Sequence, residues 1–188
     1  ESGETTSVKW QSILHLLIGD PTLNVAYPAA TLADPMFVNT ENLEVWAQGD
    51  TTIPNGMPRR VFIKNIGSTS ISLSGVKARY YFSSSERPGV AVKLQDQYSP
   101  SSNPSIVNLG NDQWYVDFDF SGQAALAAGA STSGGTTSGE QVQIYFTDWG
   151  NGWMHFNDYS AEGLTTTWAK TKNVDVYRNA TRIYGRIR

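Results

Sequence analysis

From Asn42 onward the chain alternates, apolar then polar, in one short run after another. Leu43, Val45 and Ala47 are interleaved with Glu44, Trp46 and Gln48. Val76, Ala78, Tyr80 and Phe82 take turns with Lys77, Arg79 and Tyr81, and Trp114, Val116, Phe118 and Phe120 with Tyr115, Asp117 and Asp119. Val142, Ile144 and Phe146 repeat the theme around Gln143 and Tyr145; Val61 with Ile63, and Val174 with Val176, do so in shorter form. Successive side chains of a strand point to opposite sides, so a period of two gives each strand one wet face and one dry face. Turn chemistry separates the runs, as in Asn65-Ile66-Gly67-Ser68 and Gly110-Asn111-Asp112, and no helical period of useful length competes. Several such strands must cover one another's dry faces, which predicts an all-β fold of two antiparallel sheets packed face to face.

Composition narrows the partners. The chain has 188 residues, 39% of them hydrophobic, enough for one domain with its own core plus an appendage. With 14 basic and 17 acidic residues there is no positive field to hold phosphates, which argues against nucleic acid. The absence of cysteine removes disulfides, zinc thiolate sites and cysteine nucleophiles, and fits a bacterial exported protein. The apolar stretch 13–18 is far too short to span a bilayer, so no membrane partner is expected.

The chain divides near residue 40. Residues 1–40 read as an N-terminal extension or linker, with a short helix or buried strand at 8–18 that Gly19-Asp20-Pro21 ends. Residues 41–188 form the module. Within it, 128–139 is almost all Gly, Ala, Ser and Thr and reads as a mobile loop between two strands.

Four segments then occur in a telling order: 63–82 (IKNIGSTSISLSGVKARYYF), 126–130 (LAAGA), Asp148-Trp149 followed shortly by Asn157-Asp158-Tyr159-Ser160, and 174–185 (VDVYRNATRIYG). Together they resemble a family 3 carbohydrate-binding module, the cellulose-binding jelly roll of bacterial cellulases and cellulosome scaffolds. The resemblance implies an antiparallel jelly-roll β-sandwich of about nine strands. It also implies a structural calcium ion, and a flat aromatic and polar strip on one sheet that lies along cellulose or a related β-glucan. Such a module is non-catalytic and targets a larger secreted or cell-surface protein to its substrate. The chemistry is simple: a sugar ring has a face of C–H groups, and an aromatic ring laid against it removes apolar area from water.

By that resemblance Trp149 is the leading strip residue, and Gly150, Asn151 and Gly152 around it favour an exposed loop. Trp153 either extends the platform or caps the core. Asp96 and Tyr98 stand where the family places an Asp followed by His or an aromatic. Tyr145 stands where a strip Arg is usual, and points away from Ile144 and Phe146. The resemblance assigns calcium ligands to Asn157 and Asp158 and, across from them, to Ser83 and Ser85. The family has Asp where Ser85 stands, so either Glu86 substitutes or affinity falls. It further implies a shallow groove on the opposite sheet, around Arg79, Tyr81 and residues 115–119, where the plain alternative is a solvated face.

A glycosidase would need two carboxyl groups across a cleft. Asp117 and Asp119 share a strand face about 7 Å apart, with no sign of a cleft. His15 and His155 sit in neither an H-E-x-x-H nor a G-x-S-x-G context. Segment 16–25 (LLIGDPTLNV) is similar to the closing segment of gingipain-like peptidase domains, which would make the extension the tail of an upstream domain. The rival to polysaccharide binding is the same sandwich with an eroded strip, acting as a structural or protein-interaction module.

Overall fold

The computed structural model describes residues 36–50, 52–98 and 102–187; the expectations for 8–18 and 16–25, and His15, lie outside them. The strands are β1 (Phe37–Asn39), β2 (Leu43–Gly49), β3 (Met57–Asn65), β4 (Val76–Ser83), β5 (Val92–Tyr98), β6 (Asn103–Gly110), β7 (Gln113–Asp119), β8 (Glu140–Phe146), β9 (Ala169–Lys170), β10 (Asp175–Arg178) and β11 (Thr181–Arg186). They build two antiparallel sheets, ordered β1-β11-β10-β4-β7-β6 and β5-β8-β3-β2-β9. Two of the eleven, β1 and β9, are only three and two residues long. No helix among the described residues is long and apolar enough to cross a membrane.

The alternation does what it predicts. Burial in β2 switches at every residue, with Leu43, Val45 and Ala47 inward. Tyr80 and Phe82 from β4 meet Val116 and Phe118 from β7 and, from the other sheet, Val61, Ile144 and Phe146 in one core. Each such side chain contributes about 1.5–3 kcal/mol on burial, and the register of each strand is fixed because a one-residue slip would turn its apolar set into water. Between β6 and β7 the turn places Asn111 and Asp112 at φ of 51° and 57°, backbone that Asn and Asp tolerate better than most residues.

Two expectations change. The sandwich begins before residue 41, because β1 pairs with β11 through Phe37↔Arg186 and Val38↔Gly185. The 128–139 segment is tied down rather than free: it holds a 3-10 turn at Thr132–Thr137. The Thr132 hydroxyl accepts the Ile63 N–H at 3.0 Å, and Ser131 bridges to Lys64. Backbone groups of β3 find partners in this loop, which is why a low-complexity stretch is ordered.

Candidate functional site

Strand β8 lies between β5 and β3, and its alternation sends Phe146 inward and Tyr145 outward. The chain then turns: the Trp149 N–H donates to the Phe146 carbonyl at 2.8 Å, and Trp149 takes a left-handed backbone with φ of 53°. That conformation is costly for a bulky residue. A clasp beside it holds the turn in that shape. Arg87 donates two parallel hydrogen bonds to Asp148, at 2.8 and 2.7 Å, and Asp148 also accepts the Gly150 N–H at 2.9 Å. The Arg87 bonds, followed by the Gly150 N–H, hold the Asp148 carboxyl down at about 2. Glycine at position 150 leaves the Arg87 guanidinium room to reach Asp148, for a Cβ there would make it shift.

The result is a two-ring platform. Trp149 stacks on Tyr145 with ring centroids 4.0 Å apart and planes 13° apart, and Trp149 is 46% exposed. Tyr145 fills one side of the indole, so the outer side stays available to a flat apolar ligand. Asp96 and Tyr98 lie on the neighbouring β5, where Asp96 pairs with Val142 and Tyr98 with Gln141 across a bulge; their side chains fall outside the described ones. Trp153 resolves to the core alternative and leaves the strip. It is 7% exposed, stacked on Phe146 at 4.1 Å and set edge-on to Phe82.

Sequence reasoning missed Arg87, which positions the Trp149 turn from a distant loop. It also missed Phe156, which is 86% exposed in the 3-10 turn His155–Asn157. Trp46 was visible as a tryptophan on the wet side of β2. It shares the outer face of the Tyr145 sheet, packs beside its cross-strand partner Phe62, and Trp168 covers Phe62 from the other side at 4.8 Å. The Trp168 Nε1–H donates to the Thr136 carbonyl at 2.9 Å, so this second cluster braces the 132–137 turn.

The residues assigned to calcium do come together. Ser83 N–H donates to Asp158 Oδ1 at 2.9 Å, and Asn157 Nδ2 donates to Ser85 Oγ at 3.3 Å and to Glu86 Oε2 at 3.1 Å. Asn157 Oδ1 and Asp158 Oδ2 are buried without hydrogen-bond partners. In kind, these oxygens suit calcium. In charge, they do not. Arg59 projects from β3 into the same space, with its Nη2 3.7 Å from Asp158 Oδ2 and both side chains 1% exposed. An ion ligated by that oxygen would lie within about 6 Å of the guanidinium, a repulsion of roughly 5 kcal/mol at an effective dielectric near 20. Burial pushes the Asp158 carboxyl up to about 7, against the opposing pull of the Ser83 N–H and Arg59.

The opposite sheet carries its charges in pairs. Arg79 grips Asp117 at 2.7 and 2.9 Å and lies 3.7 Å from the Tyr115 ring centre, while Lys77 meets Asp119 at 3.1 Å. Each carboxylate already has its cation, an arrangement unlike an acid held protonated beside a cleft.

The two antiparallel sheets, with an outward aromatic pair on one of them, form a jelly-roll sandwich, and comparison with known proteins gives its family. The chain matches the family described as a cellulose binding domain over residues 43–185, and it belongs to that family, the family 3 carbohydrate-binding modules. It is 33% identical over 128 residues to an uncharacterized protein in the celA 5' region of Paenibacillus lautus, covering 65% of this chain and 84% of that protein. It is 32% identical over 132 residues to endoglucanase 5 of Pectobacterium carotovorum subsp. carotovorum, covering 66% of this chain and 25% of that enzyme. Among solved structures, the scaffoldin module of the Clostridium thermocellum cellulosome superposes with a TM-score of 0.62 at 20% identity, covering 78% of this chain and 91% of that one. At that identity the likeness speaks for the fold alone.

Proposed function

We propose that this module binds polysaccharide, with cellulose as its ligand, and brings a longer secreted polypeptide to plant cell-wall material without itself catalysing a reaction. The observation that carries this reading is Trp149, exposed and stacked flat on Tyr145 on the outer face of β8. Family membership supports the carbohydrate, and a cellulase relative of which this chain spans a quarter supports the multidomain setting. A ring pair of this kind contributes through C–H contacts and area rather than through a deep pocket, so affinity is modest per contact and grows with contacts in line along the polymer.

The test is retention on microcrystalline and on amorphous cellulose. Trp149→Ala should lose most of the retained fraction, an affinity fall of roughly five- to thirty-fold for a stacking contact of about 1–2 kcal/mol. Equal and negligible retention of the two proteins sinks the proposal. It would favour the second reading, a protein-interaction module, which the inward turn of Trp153 and the bare Phe156 ring both favour.

A further inference from the structure

Arg59 is a charged residue in an apolar register. Its β3 neighbours on the inward side are Met57, Val61 and Ile63, all fully buried, and Arg59 is as buried as they are. A lone guanidinium there is unaffordable, so the surroundings must be made for it. They are: Nε donates to the Tyr80 hydroxyl at 2.6 Å, Nη1 to the Pro58 carbonyl at 2.9 Å, and Nη2 to His155 Nδ1 at 2.8 Å. Because Nδ1 accepts, His155 carries its proton on Nε2, which donates to the Ile53 carbonyl at 3.2 Å. Gly49 completes the cradle, for a Cβ there would sit 2.6 Å from Arg59 Nη1 and 3.0 Å from its Cδ. The net product of this construction is one fixed positive charge 3.7 Å from Asp158 Oδ2.

We propose that Arg59 is a built-in counter-ion that does the work of a structural divalent cation. It supplies the positive charge that Asp158 needs while Asp158 ties the 3-10 turns after β8 to Ser83 at the end of β4. The folded module is therefore independent of calcium. Removing the guanidinium leaves the Asp158 carboxylate itself as an uncompensated buried charge beside the unpartnered Asn157 Oδ1, which turns a dormant oxygen cluster into a calcium-requiring one.

The experiment compares thermal unfolding of the full chain in EGTA and in about 1 mM calcium chloride, a concentration that saturates ordinary extracellular sites. Wild type should melt at the same midpoint in both, within about 1 °C. Arg59→Gln should melt roughly 10 °C lower in EGTA and regain part of that in a saturable way as calcium is added. A wild-type midpoint that falls on chelation and recovers with calcium overturns the proposal; so does an Arg59→Gln protein that is as stable as wild type in EGTA. The wild-type arm needs no variant, so refutation stays possible even if Arg59→Gln does not fold. Neither arm involves cellulose, and the outcome is separate from that of the retention assay.

Discussion

Two arginine–aspartate pairs flank the same stretch of chain, and they could hardly differ more. Arg87–Asp148 stands at the surface with near-ideal forked geometry at 2.7–2.8 Å. Arg59–Asp158 is buried and looser, at 3.7 Å. Geometry alone would rank the first as stronger. Solvent reverses that ranking. Water and salt screen the exposed pair, whereas in the interior either charge without the other is a heavy penalty. The two aspartates titrate in opposite directions, each for its own reason: Arg87 hydrogen bonds pull Asp148 down, and burial pushes Asp158 up. The exposed pair shapes a ring platform; the buried pair holds the fold.

The sharpest way to break this contrast is to remove each arginine in turn. Arg59→Gln should destabilise by about 3–5 kcal/mol, the usual cost of halving a buried pair, read by chemical denaturation. Next in size is Gly49→Ala, which crowds the guanidinium without touching its charge and should cost about 2 kcal/mol by overpacking. Arg87→Gln should leave the unfolding midpoint nearly unmoved yet lower retention on cellulose several-fold, because it frees the Trp149 turn. If Arg87→Gln cost as much stability as Arg59→Gln, the distinction between the pairs would be wrong.

The smallest effect is with acid. Asp148 has a lowered carboxyl in the fold, so its contribution is present above its unfolded value and fades as pH falls toward about 2. Trp149-dependent retention should accordingly be flat from neutral pH down to about pH 4, and decay only below. Loss already near neutrality would show that Asp148 does not hold the turn.

Much of the architecture was legible because alternation is a direct imprint of a half-buried strand. β2, β4, β7 and β8 could be read residue by residue. β5 and β6 could not, for their apolar residues are sparse, and Pro104 and Asn108 break the pattern of an edge strand. The platform was half legible. Asp148-Trp149 and the glycines beside it marked the exposed turn, but the sequence leaves Trp153 open between platform and core, since its placement depends on a turn that Arg87 braces from 61 residues before Asp148. The buried pair leaves a trace in the sequence: Arg59 falls in step with Met57, Val61 and Ile63, and a charge in a dry register is a sign of a hidden partner.

The pairing of β1 with β11 sets how the sandwich bears mechanical load. Phe37 sits directly across the ladder from Arg186, and the Ile187 N–H reaches the Met36 carbonyl at 2.7 Å. The polypeptide thus enters and leaves the sandwich side by side. Pulling on both ends, as a shearing slurry of fibres would, loads those hydrogen bonds singly, like a zip drawn from its open end, rather than all together. The module should peel at low force at this seam while the central strands hold.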